Sequence, residues 1–495
     1  MAGATLAEDA TRRPPILDDP FLWLEEVEGK RALEWVKQRN GETLAELQAD
    51  KRYEPFLAQA EALLNATDRI PYGSIRGRHI YNFWRDAGHV RGILRRTTLV
   101  SYRTAEPEWE TVLDVDALAR AEDENWVYKS IAWLAPGYER CLVKLSRGGT
   151  DASVHREFDA LAKRFVEGGF VLPEAKSGVA WLDRDTLLVG TNWGEGSLTK
   201  SGYPRIAKRW KRGTPLAKAV TVFEGRQEDI GIWPRVMDSG EATLPMIDQS
   251  LTFYTGAYHL IGGGGKLRRL PLPESVDLAG FYAGRILFTL RDAWEVAGRT
   301  FPEGALLAID AAAFRESGEL PSIETVYTPD DRTSIEGVTV SRSGLYVSLL
   351  QNVKGSILRF GVEAKSGEWR AEPLPLPPSG TVSLSAANPH SGTVFVNYED
   401  HITPDRLSEY DAGANALTRL KALPARFRAD GLQVSQHTVR SADGETVPYF
   451  VIHRKGLKPD GSTPTILYGY GGFEISLKPS YSATIGKLWL ERGGA

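Results

Sequence analysis

Apolar residues between positions 29 and 66 recur at helical spacing. Tyr53, Phe56, Leu57, Ala60, Leu63 and Leu64 fall on the i, i+3, i+4, i+7 pattern that lines one side of a helix. A helix of that kind must lie against something. Ahead of it, Asp19-Pro-Phe-Leu-Trp-Leu-Glu-Glu26 forms a proline-led apolar cluster, and Arg31-Ala-Leu-Glu-Trp35-Val36 continues at helical period. From Ile70-Pro71 the pattern changes. Short β-rich runs alternate with Gly, Asp, Asn and Pro turns, and helical periodicity almost vanishes until about residue 430. Thr186-Leu-Leu-Val189, Leu251-Thr-Phe-Tyr254, Arg285-Ile-Leu-Phe-Thr289, Leu345-Tyr-Val-Ser-Leu349 and Thr393-Val-Phe-Val396 are each expected to be strands. Those centred near 287, 347 and 395 lie roughly 50 to 60 residues apart, close to the repeat of four-stranded propeller blades. A long series of short strands suits a closed ring, which leaves few exposed edges; a stack of β-sandwiches is the alternative.

After Arg426-Phe-Arg428 the residues from Val434 to His453 read as two strand-like runs joined by a Ser441-Ala-Asp-Gly444 turn. Pro464-Thr-Ile-Leu-Tyr468 is expected to be a short apolar strand leading into Gly469-Tyr470-Gly471-Gly472-Phe473, and Lys487-Leu-Trp-Leu-Glu491 has helical spacing. Strand, glycine-rich loop and helix in that order are how an α/β domain begins.

The glycine-rich loop is the most informative stretch for chemistry. In α/β-hydrolases a loop at this place supplies one donor of the oxyanion hole, because glycine lets the backbone approach a substrate carbonyl closely. A tyrosine there can donate instead, since a phenol with its ordinary pKa of about 10 keeps its proton at neutral pH. The pattern also fits a plain turn after an apolar strand. No serine has glycine two places before it, so the Gly-x-Ser-x-Gly nucleophile elbow is absent from these 495 residues. In that fold Ser, Asp and His follow the oxyanion loop, so all three are expected beyond residue 495.

Composition narrows the field. A formal net charge of −4 offers no basic field for phosphates or anionic membranes, so nucleic acid and membrane partners are not expected. The first fifteen residues place acids and two arginines where a signal peptide needs an apolar core, and read as an uncleaved disordered tail. The lone Cys141 fits a reducing, cytoplasmic compartment and a small buried hydrophobe. No Cys-x-x-Cys, His-Glu-x-x-His, Gly-x-x-x-x-Gly-Lys or Gly-x-Gly-x-x-Gly occurs, and the eight histidines show no ligand spacing. No cofactor or metal is expected. The Gly262–Gly265 run reads as a propeller turn rather than a phosphate cradle.

Three stretches together resemble the prolyl oligopeptidase family of serine peptidases: Asp19-Pro-Phe-Leu-Trp-Leu-Glu-Glu26 with Ala32-Leu-Glu-Trp-Val36 and Asn40, the strand Ile80-Tyr-Asn-Phe-Trp84 opening the propeller, and Leu467-Tyr-Gly-Tyr-Gly-Gly-Phe473. The resemblance implies an all-β plus α/β protein, with a seven-bladed propeller inserted between N-terminal helices and the truncated start of an α/β-hydrolase domain. The expected organisation is a tail over 1–15, the helical segment of the hydrolase over 16–69, the propeller over 70–428 and the incomplete hydrolase over 429–495. Carried over, Tyr470 would be the oxyanion-hole side chain, Gly471 and Gly472 would flank the substrate carbonyl, and Phe473 would line the pocket for the residue before the scissile bond. Phe473 is equally readable as a core aromatic anchoring the loop.

The implied activity is hydrolysis of short peptides after proline, through an acyl-enzyme and by a monomer, with the propeller as a size filter. The chain by itself, lacking the nucleophile, is expected to be inactive. The competing reading is a non-catalytic propeller module that binds a peptide or protein.

Overall fold

The structure is a computed structural model that describes residues 19–473 and 475–495, so the expected N-terminal tail lies outside the described residues. Two compact units are present, divided between Ala66 and Thr67. In the first, a 3-10 turn at Leu22–Glu25 precedes helix α1 (Lys30–Ala49) and helix α2 (Tyr53–Leu64). Trp23 meets Trp35 edge to face at 6.2 Å, and Arg31 lies 3.9 Å over the Trp23 ring. The break between the helices is made by Asp50, which accepts from the Arg52 backbone N–H and pairs with its guanidinium. On α2, Phe56, Ala60 and Leu63 are half-buried while Leu57 and Leu64 are exposed.

In the second unit seven antiparallel sheets follow one another along the chain. They span residues 74–114, 126–175, 178–224, 231–269, 276–327, 333–373 and 381–422, and are numbered here as blades 1 to 7. Each is a meander in sequence order, and blade 2 carries a fifth strand. An amphipathic sheet must cover both faces, and here each blade packs on the next. One apolar cluster joins blades 1 and 2 through Leu94, Val112, Cys141 and Val143, and another joins 2 and 3 through Leu142, Phe170, Trp181 and Leu187. The series continues through Ala207 with Ile232, Met246 with Phe288, and Leu287 with Val347, to Tyr346 with Val396. It returns to the start through Ile75, Ile80 and Tyr102 against Phe395 and Leu407. The ring is therefore closed, and the protein is a seven-bladed propeller.

The closing seam uses no shared strand, because blades 1 and 7 are each built from their own consecutive strands. Side chains hold it instead. Tyr102, fully buried, packs on Phe395 with the rings 5.3 Å apart and tilted by 33°, Arg103 makes a two-pronged bond to Glu409 at 2.6 and 2.8 Å, and Asn388 donates to the Ile75 carbonyl at 2.9 Å.

The meander fixes which loops share a face. Connections between second and third strands, and between successive blades, lie on the face where the chain enters blade 1 and leaves blade 7. We call this the crossing face. Turns between first and second strands lie on the far face.

Several sequence expectations need correction. Leu251–Tyr254 is not a strand but the tip between strands Thr243–Ser250 and Gly256–Ile261. The Thr252 hydroxyl accepts from the Tyr254 and Thr255 N–H groups, so these donors are satisfied locally rather than in a ladder. Ile80–Trp84 lies in the second strand of blade 1, after Ser74–Arg76. Three short α-helices interrupt the β region among the described residues: Leu99–Tyr102, N-capped by Thr98, and Val115–Glu122 and Ala311–Ser317, N-capped by Asp114 and Asp310. Cys141 is fully buried, as expected, and burial pushes its thiol up. No helix among the described residues is long and apolar enough to cross a membrane.

Candidate functional site

After blade 7 the chain remains on the crossing face. Strands Leu432–Arg440 and Thr446–Arg454 form the expected hairpin. Gln436 donates to the Asn352 carbonyl in a loop of blade 6 at 2.6 Å, and Arg332 donates to the Thr446 carbonyl at 3.2 Å. Farther on, Lys478 pairs with Glu336, Thr381 donates to the Pro479 carbonyl at 2.6 Å, and Glu399 accepts from the Tyr481 N–H at 2.8 Å. The Tyr481 ring stacks on Phe427 at 4.9 Å and its hydroxyl accepts from the Arg426 N–H. Helix α3 (Ala483–Leu488), capped by Ser482, completes this anchor.

The glycine-rich loop lies between these anchors. The strand expected over Pro464–Tyr468 does not form. A strand needs a neighbour to pair with, and here residues 464 and 466 exchange two backbone hydrogen bonds, both 3.0 Å, with Ala495 alone. Leu467 beyond them is 96% exposed. Tyr470 is 53% exposed, and its hydroxyl makes no hydrogen bond among the described residues. Its side chain folds back over Gly472, where an added Cβ would meet the phenolic oxygen at 3.2 Å. Gly469 and Gly471 have open space around them. Phe473 adopts a left-handed backbone, φ 55°, while Ile475 N–H closes the turn onto the Gly472 carbonyl.

Phe473 is 71% exposed and is not buried among the described residues. Its ring approaches Phe253 of blade 4 with centroids 6.3 Å apart. Phe253 meets Tyr254 edge to face at 4.9 Å, and the Arg291 guanidinium lies 5.1 Å over Tyr254. Phe473, Phe253 and Tyr254 thus form an aromatic patch on the crossing face, with Tyr470 three residues before Phe473 in the same loop. Sequence reasoning missed the two propeller aromatics because they read as strand. The threonines flanking them, Thr252 and Thr255, were the available signal for a turn.

A phenol with an uncommitted proton on a loop lined by glycines can donate to a carbonyl that approaches it. The exposed aromatic rings of the patch can take an apolar side chain or a proline ring.

Comparisons with known proteins follow the same lines. The sequence model described as "Prolyl oligopeptidase, N-terminal beta-propeller domain" matches residues 8–242 and 292–422. The chain is 40% identical over 491 residues to the uncharacterized peptidase y4nA of Sinorhizobium fredii, covering 96% of this chain and 66% of that protein. It is 32% identical over 495 residues to a prolyl endopeptidase of Elizabethkingia miricola, covering 97% of this chain and 64% of the relative. Among solved structures, a post-proline cleaving enzyme from Rickettsia typhi superposes with a TM-score of 0.85 at 27% identity, covering 95% of this chain and 70% of that one. The chain spans about two thirds of the length of the curated relatives it matches. A closed ring of seven blades, a glycine-flanked tyrosine on its crossing face and these matches lead to one conclusion: the chain belongs to the prolyl oligopeptidase family.

Proposed function

We propose that this sequence forms the propeller and the opening of the hydrolase of a serine peptidase that cleaves short peptides after proline through an acyl-enzyme. On this reading residues 16–69 and 429–495 belong to the hydrolase, and residues 70–428 are the filter. The Tyr470 hydroxyl donates to the carbonyl oxygen as it gathers charge, and Gly471 and Gly472 leave room for that carbonyl. Phe473, with Phe253 beside it, takes the residue before the scissile bond. Ser, Asp and His are supplied by the part of the relatives' length that this chain does not span. The observation that carries the reading is the exposed, uncommitted phenol of Tyr470 within a chain of this family. The relatives named as prolyl endopeptidase and post-proline cleaving enzyme support the residue preference.

A serine-directed fluorophosphonate tests it. The 495-residue chain takes no label, whereas the polypeptide extended by the relatives' remaining third labels stoichiometrically and cleaves a prolyl anilide. An extended polypeptide that binds peptides but takes no label would favour the non-catalytic module.

A further inference from the structure

At the seam of blades 1 and 7, beside the two chain crossings, four side chains form an alternating stack. The Arg69 guanidinium lies 4.3 Å from the Trp84 ring centre, Arg95 lies 4.2 Å from the same ring, and Arg95 lies 4.4 Å from Trp109. These residues line an open groove of about 480 Å³, with Pro71, Pro107 and Lys421 among its other walls.

The walls of the groove carry three cations, Arg69, Arg95 and Lys421, against one carboxylate, Asp68. Arg95 donates through Nε to Asn82 at 2.8 Å, and its two terminal nitrogens have no partner among the described residues. Arg69 donates to a backbone carbonyl, that of Arg85, and Lys421 to that of Thr104 at 2.9 Å. The carboxylates nearby are committed elsewhere. Asp68 pairs with Arg426, Glu409 with Arg103, and Glu110 with Arg96 and Lys163. Asp86 accepts from the Trp84 indole, two backbone N–H groups and the His89 ring. Glu106 and Glu108, on the loop between Ala105 and Trp109, make no ion pair with the stack among the described residues. Burial, only partly offset by the Asp86 carboxylate, brings Arg95 down to about 10, so it remains a cation at neutral pH.

A guanidinium held between two indoles and fixed through Nε to Asn82 has lost much of its freedom to turn, and its terminal nitrogens are paired donors at the spacing of a carboxylate. Aromatic and proline rings around it offer apolar cover for whatever carries that carboxylate. We propose that this groove binds the carboxylate of a short peptide, with Arg95 forming the bidentate contact and Arg69 and Lys421 adding positive field. The inference does not depend on the peptidase reading, since it needs no nucleophile.

Calorimetric titration of the 495-residue chain with N-acetyl-glycyl-proline, as the free acid and as the amide, tests it. The acid should bind, and the amide should bind about tenfold more weakly or not at all. Arg95→Gln should weaken the acid by about tenfold and leave the amide unchanged. Lys421→Gln, outside the stack, should weaken the acid by a smaller factor, and decides the matter if Arg95→Gln does not fold. Equal binding of acid and amide, acid binding that neither substitution changes, or binding of inorganic phosphate with none of the acid would each overturn the proposal. Failure of fluorophosphonate labelling in the extended polypeptide would sink the peptidase reading and leave this one standing.

Discussion

His390 of blade 7 and Asp238 of blade 4 share a hydrogen bond of 2.7 Å, Nε2 to Oδ2, although their blades are not neighbours in the ring. Asp238 ends the first strand of its blade and His390 sits in the turn between the first and second strands of its own, so the bond crosses the far face of the ring. Other contacts reinforce it. Tyr138 of blade 2 donates to Asn388 at 3.0 Å, and the Arg342 N–H of blade 6 donates to the Ser391 carbonyl at 3.1 Å. The far face is thus bridged by side-chain and backbone hydrogen bonds, while the crossing face carries Tyr470 and the aromatic patch.

Breaking this bridge should be measurable. Asp238→Ala leaves a half-buried imidazole without its partner, and should cost about 1–3 kcal/mol in urea unfolding. Gly240, at φ 86°, lies against the Pro389 backbone so closely that a Cβ has no room. Gly240→Ala should therefore destabilise at least as much, through backbone displacement of the same turn. Unchanged unfolding midpoints for both variants would mean that the bridge carries no stability.

The seam between blades 1 and 7 is the second place to probe. Tyr102 is fully buried, packs against Phe395 and donates to the Pro71 carbonyl at 3.0 Å. Tyr102→Ala should cost about 3–5 kcal/mol, as for other buried aromatics. Because no strand is shared across the seam, limited proteolysis of the variant should start near residues 70–76 or 416–426.

Acid sensitivity should come partly from His155. It is 3% exposed, and burial, with Lys144 as the second cause, lowers its pKa to about 4. An unfolded histidine titrates near 6.5. Between these values the unfolded chain takes up a proton and the folded one does not. Its contribution is therefore fully present above about pH 6.5 and is lost as the pH falls toward 4, with a slope of up to about 1.4 kcal/mol per pH unit. His155→Gln should flatten the stability profile between pH 6.5 and 4; an unaltered slope would show that the imidazole is protonated in the fold. His259, also lowered to about 4 by burial, acts in the same direction.

Much of this architecture was legible in local sequence, and the exceptions have physical causes. The runs around 287, 347 and 395 are second strands of blades 5, 6 and 7, packed on both faces, so they are nearly continuous apolar segments. First and fourth strands such as Ser74–Arg76 and Trp369–Pro373 are short and largely polar, and carry little periodicity. Leu251–Tyr254 has β-forming residues, but its N–H groups bond within the tip, those of Leu251 and Thr252 to the Thr255 carbonyl and that of Tyr254 to the Thr252 hydroxyl. The His390–Asp238 bridge joins residues 152 apart, and no local pattern announces it. Tyr470 and its glycines stood out because glycine in that density has few uses, whereas Phe253 reaches Phe473 only through the ring.

The most direct measurement is the turnover of a prolyl anilide by Tyr470→Phe in the polypeptide that carries this sequence together with the relatives' remaining third. Removing the phenolic donor should lower kcat by about a hundredfold and leave KM nearly unchanged, since the bond strengthens only as the carbonyl oxygen gathers charge. A kcat equal to that of the unmodified protein would contradict the account.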